Sequence, residues 1–107
     1  MLSKKFRLNR RQIDFIYQRG RSRNFGLLGV KFLANRLTFA RFAVVIPQKV
    51  VKEAVKRNRL RRVIFDEIGR TLKEIQTRNI DLIIRLYRPP EDEKILRTKI
   101  REVLRSV

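Results

Sequence analysis

The feature that most constrains the fold is the basic stretch of residues 49–62, which carries seven Lys or Arg and a single acid. Apolar residues still recur through and beyond it at nearly helical spacing: Val51, Val55, Leu60, Ile64 and Ile68. This is close to the i, i+4 pattern of a helix with one face against a core. A fully solvated run of charge needs no such pattern. The stretch therefore predicts a packed helix that presents a dense cationic face.

The net charge of the chain is concentrated in its first three-fifths. Residues 1–62 hold 18 Lys and Arg against two acids, a net charge of +16, whereas residues 63–107 hold 10 against eight, a net charge of +2. The 107 residues and the hydrophobic fraction of 43% predict a single globular domain spanning residues 1–107. Such a domain has one strongly positive side, which suits a polyanion and most often nucleic acid. A surface charged only for solubility would mix both signs.

The chain has no Cys and no His, which excludes disulfides, thiolate nucleophiles, common zinc sites and imidazole catalysis. The acid clusters at residues 66–67 and 91–93 are explained by helix-surface ion pairs and by a helix N-terminus. No apolar run approaches the length of a membrane span, and no signal-peptide core follows Met1. We therefore expect a cytoplasmic protein without a membrane partner and without catalytic groups of its own.

The first half of the chain predicts a helix followed by two strands. Asn9 and Gln12 form a variant of the capping box ahead of a helix over residues 10–19, which Gly20 ends in a left-handed conformation. Residues 1–8 are basic and unpatterned and are expected to form a loose arm. Residues 21–24 form a polar connection. Residues 25–33 and 38–46 are strand-like and are expected to pair as an antiparallel hairpin ended by Pro47.

The second half predicts a helix, a strand and a helix. The basic helix begins near Val51 or Lys52. Gly69 either ends it with a break or a second short turn, which we favour, or is tolerated while Leu72 and Ile75 extend the apolar pattern for two more turns. Residues 80–87 suit a central strand because their middle is continuously apolar, and a helix over residues 92–106 follows Pro89 and Pro90. The expected fold class is α+β, a two-layer sandwich with a small, mostly antiparallel sheet and three helices in the order α-β-β(-β)-α-β-α.

Four Arg residues and one Lys lie within two turns of the basic helix, where guanidinium groups chelate phosphate oxygens in a way that Lys does not. Helical geometry places positions 52, 56, 59 and 62 or 63 in one row and positions 57 and 61 in another. Arg57 or Arg61 pairing with Glu53, Asp66 or Glu67 is the structural alternative. The aromatic rings of the first half are mostly core, and the exposure of Tyr17 stays open.

The segment Ala54-Val55-Lys56-Arg57-Asn58-Arg59-Leu60-Arg61-Arg62 resembles the signature of the bacterial ribonuclease P protein component. That family carries Arg-Asn-Arg after a small residue, then an aliphatic residue and two basic ones. Arg7-Leu8 with the first helix, residues 41–46 and residues 80–84 resemble further family elements in the same order. The loop before the signature departs from the family, with Pro47-Gln48-Lys49-Val50 where relatives have Ser-Lys-Lys and with Lys52 at a Gly position.

The resemblance implies a protein cofactor of a catalytic RNA, the two together removing the 5′ leader of precursor tRNA. In that family the RNA and the substrate mainly hold the Mg²⁺ ions, and the RNA with these ions breaks the bond. The protein binds the RNA through the signature helix and holds the leader in a cleft between the first helix and the sheet. The family fold contains a left-handed βαβ crossover, which is rare among such units. Two rivals remain: a ribosomal or RNA-chaperone protein, and a DNA-binding module with its helix in a major groove, the weaker of the two.

The resemblance also implies site residues. The expected RNA contacts are Lys49, Lys52, Lys56, Arg57, Asn58, Arg59, Arg61 and Arg62. The expected leader contacts are Ile13, Tyr17, Phe32 and Phe39.

Overall fold

The computed structural model describes residues 2–107 and confirms the α+β class with three helices on a four-stranded sheet. The elements are a 3-10 turn Lys4–Phe6, α1 Arg10–Arg19, β1 Arg21–Asn24, β2 Leu28–Ala34, β3 Arg41–Val45, α2 Ala54–Ile75, β4 Ile80–Leu86 and α3 Glu93–Ser106. The strand order is β1-β2-β4-β3, with two antiparallel pairs and one parallel pair. None of the helices described combines the length and hydropathy needed to cross a membrane.

The predicted hairpin between β2 and β3 is wrong, because β4 lies between the two strands. β4 pairs with β2 at all seven of its residues in the antiparallel sense, and with β3 at five of them in the parallel sense. An apolar strand buried on both faces gains most from neighbours on both edges, and this outweighs the short separation of β2 and β3 along the chain. The unit β3-α2-β4 is the parallel βαβ crossover that the resemblance implies, and its left-handed sense stays a prediction.

The predicted polar connection over residues 21–24 is also wrong, since it forms the edge strand β1. All four of its residues are exposed, so no apolar alternation marks it. β1 forms a hairpin with β2, in which the Asn24 side chain accepts a hydrogen bond from the Gly26 amide at 2.7 Å. Gly26 has φ of 79°, a conformation that favours glycine.

Alternation along the strands gives the sheet two different faces. Leu82, Ile84 and Leu86 of β4 belong to the main core with α2 and α3. Ile83 belongs to a smaller cluster with Ile16 of α1. The opposite face thus packs against a single short helix of ten residues, compared with two helices on the main core.

α1 has the predicted bounds and the predicted capping box, in which Asn9 and Gln12 exchange side-chain-to-backbone hydrogen bonds of 2.8 and 2.9 Å. The predicted left-handed conformation of Gly20 is wrong, since its φ is −78°. Gly20 is needed instead because a side chain at this position would collide with neighbouring backbone atoms. A Cβ would lie 2.6 Å from the Ile16 carbonyl oxygen and 2.9 Å from that of Phe32.

α2 begins later and runs further than predicted. It starts at Ala54 and continues unbroken through Gly69 to Ile75. The predicted break is wrong because Ile68 and Thr71, on either side of Gly69, are both buried and hold the helix on the core. The apolar pattern fails at Val55, whose side chain is 80% exposed.

The expected loose arm is anchored to the core over residues 2–8, and its first residue lies outside the described range. Leu2 and Leu8 are buried. The Leu8 amide donates a 2.8 Å hydrogen bond to the Phe42 carbonyl, and Arg7 bridges to Phe42. The arm thereby covers part of the outer edge of β3.

Candidate RNA interface

The basic part of α2 has two rows of side chains that differ in exposure. Lys56, Arg59 and Arg62 are exposed, whereas Arg57 and Arg61 are half-buried. This confirms the two predicted rows, except that Lys52 lies in the loop before the helix, as does Lys49. Asn58 is exposed as well. The exposed row places positive charge along about two turns of helix, with spacing suited to successive phosphates.

Arg57 braces the loop that precedes α2. Its Nη1 donates hydrogen bonds to the carbonyl oxygens of Val51 at 2.8 Å and Lys52 at 2.7 Å. The acidic partners left open by the sequence do not pair with it. Arg61 likewise donates to Asn58 at 3.1 Å, and Glu53 pairs with Lys56 at 3.2 Å. Arg57 therefore shapes the loop that presents Lys49 and Lys52.

Asp66, Glu67 and Glu74 of α2 pair with arginines of α3, which confirms the predicted structural role of the acids at residues 66–67. Glu67, 2% exposed, accepts from Arg97 at 3.2 Å and from Arg101 at 3.1 Å. Asp66 accepts from Arg97 at 2.7 Å and from Arg70 at 3.1 Å. The hydrogen bond from Arg97 is the main cause that lowers the pKa of the Asp66 carboxyl below its ordinary value, against a smaller effect of burial.

Because most acidic residues pair within the layer of α2 and α3, the side of the molecule that carries α1 keeps cations without acidic partners in the described part of the chain. Of the ten ion pairs among residues 2–107, nine involve α2, α3 or the residue that caps α2. The tenth joins Arg41 to Asp81 at 2.7 Å on the sheet face beside α1. The positive field is therefore strongest around α1 and the first turns of α2.

Two concavities lie along the side of α1 that carries Ile13 and Tyr17, and we call them together the inner groove. One part lies against β3 and reaches α2; it is lined by Leu8, Ile13, Ala43, Val44, Arg61 and Phe65, among others. The other part lies on the open sheet and is lined by Tyr17, Ser22, Gly29, Lys31, Ile83, Arg85 and Tyr87, among others. Because Arg61 belongs to the first part, the inner groove meets the basic side chains of α2.

Two of the four expected leader contacts line the inner groove and two do not. Ile13 and Tyr17 lie where expected. The side chain of Phe32 is on the other face of the sheet, because its register partner Leu82 belongs to the main core. Phe39 lies in the connection before β3 and packs edge-on against Phe6, with ring centroids 5.8 Å apart.

Three residues of the inner groove were missed from the sequence: Lys31, Arg85 and Tyr87. The Lys31 ammonium donates to the Tyr17 carbonyl at 2.9 Å, and Arg85 donates to the Tyr17 hydroxyl at 3.4 Å. Tyr87 is 49% exposed and lies over Gly29, where a Cβ would overlap its ring. Strand alternation in the sequence groups Lys31 on β2 and Arg85 on β4 with the odd-numbered face, but it does not show which face packs on α1.

The charged and aromatic groups that line this interface suit polyanion binding. Residues 2–107 contain no group of three His, Cys, Asp or Glu placed to hold a metal ion. The buried carboxylate of Asp81 accepts hydrogen bonds from Arg41 at 2.7 and 2.9 Å and from Asn35 at 2.8 Å. Guanidinium groups, ammonium groups and aromatic rings remain, which bind phosphates and stack on unpaired bases.

Comparison with known proteins agrees with this arrangement. The Ribonuclease P protein component of Synechococcus sp. (strain RCC307) is 40% identical over 79 residues, which is 62% of this chain. The aligned region spans 61% of that relative's length. The solved structure of the RNase P protein from Thermotoga maritima matches with a TM-score of 0.80 at 23% identity, over 94% of this chain and 96% of the other.

The RNase P protein from Staphylococcus aureus matches with a TM-score of 0.83 at 20% identity, over 94% of this chain and 93% of the other. At these identities the two structures establish the fold alone. A family model described as Ribonuclease P matches residues 2–107, nearly the full sequence. The chain belongs to the Ribonuclease P family of proteins.

Proposed function

We propose that this protein is the protein subunit of ribonuclease P, which binds the catalytic RNA and the 5′ leader of precursor tRNA. In this role it assists the Mg²⁺-dependent endonucleolytic removal of the leader that yields the mature 5′ end. The observation that carries the proposal is the junction at Arg61. There, the basic side chains of a helix bearing the Arg-Asn-Arg signature meet a groove with aromatic and cationic walls.

The basic turns of α2 serve the catalytic RNA in this proposal. Lys56, Arg59 and Arg62 are exposed and spaced for a phosphate backbone. Arg57 holds the preceding loop, from which Lys49 and Lys52 add contacts. Asn58 orients Arg61, which lines the start of the inner groove.

The inner groove serves the leader. The rings of Tyr17 and Tyr87 offer stacking surfaces to unpaired bases, and such stacking tolerates any sequence because every base has a π-face. Lys31 and Arg85 line the same part of the groove, both hydrogen-bonded to Tyr17, and neutralise phosphates. Ile13 contributes an apolar wall nearer α2. A single strand entering from α2 would thus meet apolar, aromatic and cationic surfaces in turn.

The bond-breaking chemistry belongs to the RNA in this proposal. The carboxylates that a metal ion would need are paired with arginines, as at Asp81 and Glu67. We therefore place the Mg²⁺ ions on the catalytic RNA and the substrate, in the cytoplasm where tRNA is processed. The protein contributes affinity, position and charge neutralisation.

The deciding experiment combines the protein with a bacterial ribonuclease P RNA and a precursor tRNA at limiting Mg²⁺. We expect mature tRNA to form faster than with the RNA alone. The double variant Arg59→Ala/Arg62→Ala should lose most of this stimulation. Arg105→Ala is the matched control, since it removes an exposed arginine that pairs with Glu74 in the helical layer.

The leader contact is tested separately by comparing precursors with a long and with a very short leader. Tyr87→Ala should weaken binding of the long-leader substrate by roughly tenfold and leave the short-leader substrate nearly unchanged. RNA binding without any stimulation of cleavage by the wild-type protein would favour the ribosomal or RNA-chaperone alternative.

A further inference from the structure

A second groove lies on the opposite side of α1, and we call it the outer groove. Its lining residues are Arg11, Gln12, Phe15, Leu33, Ala34, Asn35, Arg36, Arg41 and Asp81. None of them lines the inner groove. Phe15 and Tyr17 are separated by about 200° around the helix. Ile16 between them is 1% exposed, so the contact of α1 with the sheet closes the space between the two grooves.

Phe15 gives the outer groove an aromatic wall. Its side chain is 52% exposed, and the guanidinium of Arg19 lies 5.6 Å from its ring centroid. Single exposed aromatic residues are ordinary on protein surfaces, so this exposure carries no argument alone. The exposure of Phe15 matters because its ring lies in a concave surface that also carries several cations.

Three of the cations around Phe15 have no acidic partner within residues 2–107. Arg11, Arg19 and Arg36 take part in none of the ten ion pairs. Asp81 is the one carboxylate in the lining, and both of its oxygens accept hydrogen bonds from Arg41. Asp14 is exposed on the same helix but does not line the outer groove. The ligand that fits is therefore an anion with a flat apolar part.

We propose that the outer groove binds an unpaired nucleotide of a second single-stranded RNA segment, distinct from the strand in the inner groove. The base stacks on Phe15, and Arg11 and Arg36 neutralise the adjoining phosphates. Ring and guanidinium surfaces of this kind are typical of sites for unpaired RNA. α1 then holds one strand on each side, and each strand contacts a different set of residues on the sheet.

The absence of tryptophan from the sequence allows a direct test that needs no cleavage assay. Phe15→Trp places the only indole in the outer groove, and the probe is a short oligoadenylate at low salt. We expect saturable quenching of the indole fluorescence as a base stacks on it. Ile95→Trp is the matched control, because Ile95 is 42% exposed on α3, beside the paired acids. Equal quenching of both indoles, or none at position 15, would overturn the proposal.

A second comparison separates the outer groove from the inner one. Phe15→Trp is combined with Lys31→Ala and Tyr87→Ala, which remove a cation and a ring from the inner groove. The midpoint of quenching should stay within about twofold, because distant sites act additively. A shift of tenfold or more would mean one continuous site and contradict the proposal.

Two further measurements complete the test. In the Lys31→Ala/Tyr87→Ala background, which weakens the inner groove, Phe15→Ala should weaken oligoadenylate binding measured by filter binding by roughly tenfold, with an unchanged circular dichroism spectrum to show that the variant folds. A fully base-paired RNA should leave the indole at position 15 unquenched, since its bases are not free to stack. Quenching by the duplex as strong as by the single strand would show a general polyanion surface and reject the nucleotide site.

Discussion

Two arginines of the Arg-Asn-Arg signature have different structural positions. Arg57 turns back and holds the carbonyl groups of Val51 and Lys52, at 2.8 and 2.7 Å. Arg59 points outward, and its pair with Glu93 is long, at 3.7 Å, and exposed. The first residue therefore positions a loop and the second is available to RNA. Helical spacing places the two arginines in different rows, but it does not show that Arg57 donates to the loop carbonyl groups, so this bracing role was not predictable from the sequence.

We predict that Arg57→Ala and Arg59→Ala affect stability differently. Arg57→Ala should lower the free energy of unfolding by roughly 1 kcal/mol, because two backbone acceptors lose a charged donor. Arg59→Ala should change it by less than about 0.5 kcal/mol, since exposed ion pairs contribute little. Urea denaturation measures both, and a filter-binding assay with the catalytic RNA shows whether both lose affinity.

Arg57→Lys is the control for charge, because a lysine keeps the cation but lacks the planar fork. If Arg57→Lys matched the wild type in both stability and affinity, the bracing role would be wrong. Arg57 would then act on RNA through charge alone.

Neighbouring residues of one strand can differ in whether they line the inner groove. Phe32 and Lys31 are neighbours on β2, yet Phe32 packs on the main core and Lys31 lines the inner groove. Strand alternation predicts that neighbours face opposite sides. The sequence alone does not show which of the two faces packs on α1, because both are substantially apolar. Tyr87 was missed for the same reason.

Asp66 yields a prediction for pH dependence. Its pKa lies below the ordinary value of 3.8, chiefly because of the hydrogen bond from Arg97. A carboxyl with a depressed folded-state pKa stabilises the fold above its unfolded-state pKa, and this contribution is lost as pH falls through the folded-state pKa. Stability should therefore fall as pH drops below about 3.8.

Asp66→Asn should reduce that acid-dependent loss, by less than about 1 kcal/mol because the pair is partly exposed. Thermal unfolding measured from neutral pH down to strongly acidic pH tests it. Asp14→Asn is a matched control on α1, where the carboxylate takes part in none of the ion pairs found among residues 2–107. Identical acid profiles for Asp66→Asn and the wild type would exclude a role for the Arg97 contact.

At the scale of elements, α1 and α3 followed from local sequence, whereas the extent of α2 and the pairing of the sheet did not. The Asn9 and Gln12 capping box, the bounds of α1 and the cap at Asp92 depend on residues three positions apart, which a sequence displays directly. The pairing of β4 with both β2 and β3 depends on contacts across long separations. The proximity of β2 and β3 in sequence suggested a hairpin. Instead, β4 pairs with a strand on each of its edges and so separates β2 from β3.

Gly69 offers a test of the unbroken α2. It is exposed in the interior of the helix, and a Cβ there would meet no atom within 4 Å. Gly69→Ala should therefore raise the free energy of unfolding by roughly 0.5–1 kcal/mol, since alanine restricts the unfolded chain and favours helix. The melting temperature should rise by a few degrees.

Gly20→Ala is the opposing control, because its Cβ would lie 2.6 Å from the Ile16 carbonyl oxygen. This variant should be destabilised, since backbone atoms must shift. Should Gly69→Ala lower the melting temperature, α2 would have to bend or break at that residue, as the sequence first suggested.

At the scale of the whole molecule, the division of charge was predictable and the shape of the sites was not. Counting charges placed a net charge of +16 in residues 1–62, and the ion pairs indeed gather in the helical layer built by the second half. Counting does not reveal that the short helix α1 leaves a groove on each side of itself. Those grooves depend on where α1 crosses the sheet, and the contacts of Ile16 and Gly20 determine that position.

The net charge of +18 predicts opposite effects of salt on folding and on RNA binding. Added KCl screens the repulsion among the unpaired cations, so the melting temperature of the free protein should rise, because this gain outweighs the weakening of exposed ion pairs. RNA affinity should fall, with a slope of about −0.7 in log K against log salt for each phosphate contacted on a single strand.

Both quantities are measured on one protein sample over the same range of KCl. The variant Arg59→Ala/Arg62→Ala should show a shallower salt dependence of RNA affinity and a melting temperature that depends less on salt, because it carries two fewer positive charges. A melting temperature that falls with salt would mean that the ion pairs between α2 and α3 dominate stability. An affinity independent of salt would mean that stacking on rings such as Tyr17 and Tyr87, rather than phosphate neutralisation, carries most of the binding energy.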